Sequence, residues 1–136
     1  MSNQPQIQEG ANFTAAHFGS LDNLDRFNER GKVFLKDFLK LTGMEISVNK
    51  VPAGKEAPFL HKHKSNEEVY LFIKGKGQFQ VDGQVFDIQE GSIVRIAPEG
   101  VRAFRNNSQE DLYYICIQAE QDSLKQWTAT DGIIVE

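Results

Sequence analysis

The sequence predicts an all-β domain, a small barrel that carries a short helical extension at its N-terminus. Three observations point there. From Met44 onward the chain reads as about eight short runs rich in β-branched and aromatic residues. Gly, Pro or Asn interrupts them at a spacing of roughly 8 to 12 residues, too close for βαβ units and suited to a sandwich or barrel. Asp82-Gly83 also separates two alternating segments, Gln78–Val81 and Gln84–Ile88. An Asp-Gly pair suits the two positive φ angles of a type I′ hairpin turn.

Each element can be justified in order along the chain. Met1 to about Gly10 is polar and without periodicity, and is expected to be a disordered or loosely docked arm. Asn12 to Arg30 mixes Phe13, Phe18 and Phe27 with polar residues, and Ser20 suits the cap of a short helix from Leu21. From Lys32 to Leu41, Phe34, Leu35, Phe38, Leu39 and Leu41 recur at helical spacing, which predicts an amphipathic helix stopped at Thr42-Gly43. Residues 1–43 are therefore read as an arm and short helix packed on the barrel, and residues 44–136 as the barrel itself. Glu45–Val51 alternates polar and apolar until Pro52-Ala53-Gly54 breaks it. Glu67–Lys74 is a strand ending in the turn Gly75-Lys76-Gly77, which lacks the pattern of a phosphate-binding loop. Beyond the hairpin, Ser92–Ala97, Val101–Arg105 and Asp111–Gln118 read as strands, Ser123–Trp127 as a helical turn and Ile133–Val135 as a final strand.

Composition excludes several functional classes. A chain of 136 residues is one ordinary domain. The single cysteine, Cys116, rules out an internal disulfide and paired-thiolate zinc sites, and its β-rich surroundings suggest a buried, inert thiol. Fifteen basic against nineteen acidic residues give a net charge of −4, the wrong sign for nucleic-acid binding. No apolar run approaches the roughly 20 residues of a membrane span, and the polar start does not read as a secretion signal. A cytoplasmic protein without membrane or nucleic-acid partners is expected.

The chemistry is concentrated after residue 60. His61 and His63 stand two apart, so on a strand both imidazoles point to one face. Two acids, Glu67 and Glu68, follow the polar bend 64–66. Two neutral imidazoles plus a carboxylate make a facial set for a divalent transition metal and leave positions open. Alternation separates the acids: Glu67 shares a face with Val69, Leu71 and Ile73, whereas Glu68 shares one with Tyr70 and Phe72, the polar-to-aromatic face that suits a ligand cavity. Glu68 is therefore preferred as the third ligand, with Glu67 as substitute. Glu67 and Tyr70 are candidates for proton handling, and Tyr70 and Phe72 for lining the cavity. The remaining histidine, His17, is read as structural or surface.

The stretch from Gly54 through His61, His63 and Glu68 to Gly75 resembles the first motif of the cupin superfamily, in its small single-domain, conserved-barrel form. Glu68 follows His63 after four residues and precedes Gly75 by six, as that motif asks, while the interval from Gly54 to His61 is one residue longer. Gly91, Pro98, Gly100 and Asn107 fit the frame of the second motif, again with one extra residue. The resemblance implies a double-stranded β-helix (jelly-roll) barrel, with His61, His63 and Glu68 as ligands of iron, manganese, nickel or zinc. Where the family places a fourth ligand, a histidine, this chain has Ala103, or Arg102 if Asn106 is the matching asparagine. The vacancy implies either a three-residue metal site open to substrate or a metal-free site that binds a small molecule. Arg102 and Arg105 flank it, and a guanidinium suits a carboxylate or phosphate. The expected ligand is a small anionic molecule, handled by oxygenase, isomerase or lyase chemistry or bound without catalysis. Both faces of Val69–Ile73 are apolar and such barrels commonly pair, so a homodimer is expected.

Overall fold

Eight antiparallel strands form two sheets that meet across an aromatic interior. The computed structural model describes residues 4–136. One sheet runs, in spatial order, β3 (Lys32–Phe34), β4 (Glu45–Val51), β10 (Leu112–Glu120), β5 (Asn66–Lys74) and β8 (Ile93–Ile96). The other runs β7 (Gln84–Gln89), β6 (Lys76–Val81) and β9 (Arg102–Arg105). Two further strands, β1 (Gln6–Glu9) and β2 (Thr14–His17), pair only with each other. No helix of the described residues is long and apolar enough to cross a membrane.

Period-two alternation sorts the side chains of β5. Glu68, Tyr70 and Phe72 are buried, whereas Glu67, Val69, Leu71 and Ile73 are half-buried on the other face. Across the sheet, Cys116 and Tyr114 of β10 stand opposite Tyr70 and Phe72. From the second sheet Phe79 lies 4.9 Å from the Tyr70 ring, edge to face. Turn chemistry holds the sheets in register. Asp82 and Gly83 take φ of 50° and 83°, the pair of positive angles expected of the β6–β7 hairpin. Gly75, between β5 and β6, takes φ of 93°, and a Cβ there would lie 2.5 Å from the Asp111 carbonyl oxygen, so only glycine fits.

The N-terminal region departs from the sequence reading. Gln6–Glu9, read as part of a loose arm, is paired as β1, while residues 1–3 lie outside the described residues. The helical extension is also corrected: the one α-helix among the described residues is the single turn α1 (Lys36–Leu39), which ends where Lys40 turns left-handed. Lys32–Phe34, assigned to that helix from its apolar spacing, is β3. The free edge of β4 explains this: pairing there buries Val33 and supplies Lys32–Phe34 with ladder partners, an advantage local periodicity does not register. Ser20 does cap a short 3-10 segment, Leu21–Arg26, by accepting a hydrogen bond from the Asp22 amide. At the other end neither Ser123–Trp127 nor Ile133–Val135 has regular structure, because these exposed residues find no partner strand or helix face.

Candidate functional site

His61, His63 and Glu68 come together, each offering one donor atom, with all three atoms within 4.8 Å of one another. Backbone pairing places them. The His61 amide donates to the Arg102 carbonyl at 3.1 Å, the Arg102 amide returns a bond to the His61 carbonyl at 2.9 Å, and the His63 amide reaches the Pro98 carbonyl at 3.0 Å. The segment is thereby tied to β9 and to the β8–β9 turn, and the two imidazoles stand 5.3 Å apart at 83°. The bend at Lys64-Ser65 then lets Glu68 rise on β5 from the opposite sheet.

Glu68 is 4% exposed and closely surrounded. Tyr70 donates its hydroxyl to Oε1 at 3.3 Å, and the Cys116 thiol donates to Oε2, also at 3.3 Å. His63 Nε2 lies 3.3 Å from Oε2, and Arg102 Nε lies 3.6 Å from Oε1. Arg102 is wholly buried, and its NH2 donates to the Ala97 carbonyl at 3.0 Å. Among the described residues, three buried polar atoms at this junction have no hydrogen-bond partner: His63 Nε2, Arg102 Nε and Arg102 NH1.

The structure also sorts the remaining candidates. Asn106, not Asn107, is the buried asparagine: its Nδ2 donates to the Val51 and Glu110 carbonyls, and its Oδ1 accepts from Ser108. Arg102 is wholly buried, whereas Ala103 lines a hollow beside Gln78 and Gln80. Arg105 lines that hollow as well, where its Nε donates to Gln78 Oε1 at 2.8 Å. Glu67 lies on the other face of β5 from Glu68, paired with Arg95 at 3.0 Å. Phe72 belongs to the core cluster and is 2% exposed. His17 is exposed on β2.

Three participants escaped the sequence reading. Lys32 reaches inward from β3, donating to Ser47 Oγ at 3.3 Å and Asn49 Oδ1 at 3.1 Å. Ser47 and Asn49 are buried polar residues of β4, where alternation alone favours burying Ile46 and Val48. Cys116 was expected to be inert; it is buried, but it also contacts the Glu68 carboxylate.

Burial dominates the electrostatics. It lowers the His61 pKa below the ordinary imidazole value, and nearby Arg102, His63 and Lys32 act in the same direction against the pull of Glu68. A neutral imidazole keeps its lone pair for a metal. Burial keeps the Tyr70 hydroxyl protonated far above its usual range, so Tyr70 serves Glu68 as a donor. The Cys116 thiol is pushed up to about 12 by burial and by Glu68. A thiol-specific disulfide reagent at about pH 8 is accordingly expected to leave the folded protein unlabelled and to label the urea-unfolded chain quickly. Equal rates in the two states would contradict a buried thiol.

One pair of these donors, His63 Nε2 and Glu68 Oε2, has the spacing of two ligands on a divalent transition metal. Two donors each about 2.1 Å from a common ion are roughly 3.2 Å apart when they subtend about 100°. The observed separation of His63 Nε2 and Glu68 Oε2 is 3.3 Å, and that nitrogen has no hydrogen bond to give up.

Comparison with known proteins places this geometry among relatives. Residues 48–118 match the family model of a cupin domain, Cupin_2. The crystal structure of a cupin protein from Bacteroides fragilis is 35% identical, with a TM-score of 0.75 and coverage of 100% of both chains. That of a putative sugar phosphate isomerase from Acidithiobacillus ferrooxidans is 25% identical, with a TM-score of 0.60 over 67% of this chain and 59% of that one. An uncharacterized protein of Methanocaldococcus jannaschii is 30% identical over 66 residues, or 48% of this chain. The match covers 52% of that protein, so the chain spans about half the length of the curated relative it matches.

Proposed function

The chain belongs to the Cupin_2 family of cupin domains, and on that premise we propose that His61, His63 and Glu68 hold one divalent metal ion while Arg102 holds a small anionic molecule beside it. The observation that carries this reading is the trio of unpartnered buried atoms around Glu68: one imidazole nitrogen and two guanidinium nitrogens. Burying such groups without partners costs free energy, which a bound ion and a bound anion would recover together. When bound, the metal supplies Lewis-acid polarisation of an oxygen-bearing ligand.

The chain's own residues supply the rest. The Ala97 carbonyl accepts from NH2 of the Arg102 guanidinium and Nε stands beside Glu68, leaving the NH1 amino group as a charged donor for a carboxylate or phosphate. Tyr70 and Cys116, each donating to one oxygen of Glu68, hold that carboxylate in one orientation. The putative sugar phosphate isomerase among the similar structures has, by its name, an anionic substrate, which agrees with an anion at Arg102.

A second reading has its own observation. Arg102 Nε already stands 3.6 Å from Glu68 Oε1, so the guanidinium could neutralise the carboxylate in place of a metal, in a binding protein without catalysis. Elemental analysis of the purified chain beside the His61→Ala, His63→Ala double variant separates the two. Near-stoichiometric metal that disappears in the variant is expected. Equal, substoichiometric metal in both proteins would defeat the metal reading and leave the binding protein.

A further inference from the structure

The outer face of the five-stranded sheet is aliphatic. Val48, Ile115, Leu71 and Ile93 stand side by side on the adjacent strands β4, β10, β5 and β8, and Ile46 and Ile117 begin a second row beside them. None of the six is buried, and Ile93 is 67% exposed. The 3-10 segment Leu21–Arg26 packs against β3 and β4, at one edge of this face. The first row alone spans three strand spacings, or about 14 Å. Contiguous apolar surface of this kind marks a place where something docks.

A second apolar surface without a partner belongs to the same molecule. Residues 122–136 form neither strand nor helix, yet they carry Leu124, Trp127, Ile133, Ile134 and Val135, which are 77 to 92% exposed. The segment starts at the rim of the aliphatic face. There the Gln121 amide donates to the Ser65 carbonyl at 2.9 Å, and its Oε1 accepts from NH2 of Arg95 at 3.1 Å. Fully extended, residues 122–136 reach up to about 50 Å, more than the roughly 30 Å length of β5. Ile133, Ile134 and Val135 are β-branched and suit an extended conformation against a sheet.

We propose that two copies of the chain pair through the outer face of β4, β10, β5 and β8, with residues 122–136 of each lying across the other. Each copy offers one face and one segment and receives the same, so the exchange is isologous and closes at two. Burying the five side chains of the segment removes roughly 400–700 Å² per copy from water. The aliphatic rows bring this toward the about 800 Å² per partner of a standard interface, which neither surface reaches alone. A segment docked on its own copy would have its apolar side chains covered, and these are open. Both surfaces lie outside the barrel, so the pairing is independent of the metal reading.

Sedimentation velocity of the full chain at micromolar concentration tests the pairing, together with the fluorescence of Trp127, the single tryptophan. The expected mass is about 31 kDa, twice the 15.4 kDa of one chain. Trp127 emission should be blue-shifted in the dimer and move to the red as dilution separates the copies. Ile93→Lys on the face and Ile134→Asp on the segment should each weaken pairing by about tenfold or more and shift the emission to the red. Both side chains are exposed within one chain, so each variant should keep the far-ultraviolet circular dichroism of the parent. A monomeric mass would overturn the proposal. Blue-shifted emission that dilution leaves unchanged in a monomer would place the segment on its own copy. A dimer that withstands either substitution would overturn the exchange as well, because it needs both surfaces.

Discussion

Glu68→Gln is expected to cost about 3–5 kcal/mol of folding stability, and Arg102→Met much less, although the two residues form one buried pair. The asymmetry follows from what each substitution leaves behind. Removing the carboxylate charge strands the Arg102 guanidinium, which is wholly buried and has one hydrogen bond, to the Ala97 carbonyl. Lys32 and the two histidines face the same space and offer it no compensation. Removing the guanidinium instead leaves Glu68 with the Tyr70 hydroxyl and the Cys116 thiol as donors and His63 Nε2 beside it, while a methionine side chain fills a similar length. Two unpartnered buried N–H groups disappear with Arg102, and that gain offsets part of the lost attraction. Urea unfolding of the two variants in metal-free buffer reads the difference directly. Equal losses would mean that the pair is stabilised mainly by mutual attraction, and a larger loss for Arg102→Met would reverse the argument.

Much of this architecture was legible in the sequence, and the reasons differ from element to element. The β6–β7 hairpin was readable because Asp82-Gly83 determines its turn almost alone. That Glu68 faces the interior and Glu67 does not was readable because strand alternation is strict, and one face of β5 carries Tyr70 and Phe72. Arg102 and Ala103 could not be separated by spacing, since a one-residue shift is free in sequence. In the fold it moves a side chain to the other side of the sheet, which is why Arg102 is buried and Ala103 is not. Lys32 was hidden more thoroughly. Its neighbours Phe34, Leu35, Phe38 and Leu39 have helical spacing, and what makes Lys32–Phe34 a strand is the edge of β4, a partner far along the chain. The same long-range pairing turns Ser47 and Asn49 inward, where Cys116 and Tyr114 face them across β10.

Phe79→Ala should lower stability by about 3–5 kcal/mol, and Phe86→Ala by roughly 1 kcal/mol, though both remove the same side chain from one stack. The rings of Phe79 and Phe86 lie 5.9 Å apart on paired strands. Phe79 is 0% exposed, with Tyr70 at 4.9 Å and Phe72 at 6.1 Å on its other side, so its deletion opens a cavity between the sheets. Close-packed neighbours on rigid strands cannot collapse into such a space, and the cavity term adds to the lost transfer energy. Phe86 is 38% exposed, so water replaces its ring and no enclosed cavity forms. The effect on the site divides in the same way. Tyr70 packs against Phe79 while its hydroxyl holds Glu68, so the cavity frees the ring that orients the carboxylate. Phe79→Ala is therefore expected to weaken metal retention as well as folding, and Phe86→Ala to leave retention unchanged. Comparable losses of stability for the two variants would show that the interior relaxes around the missing ring. Unchanged metal retention in Phe79→Ala would show that Glu68 is oriented without Tyr70.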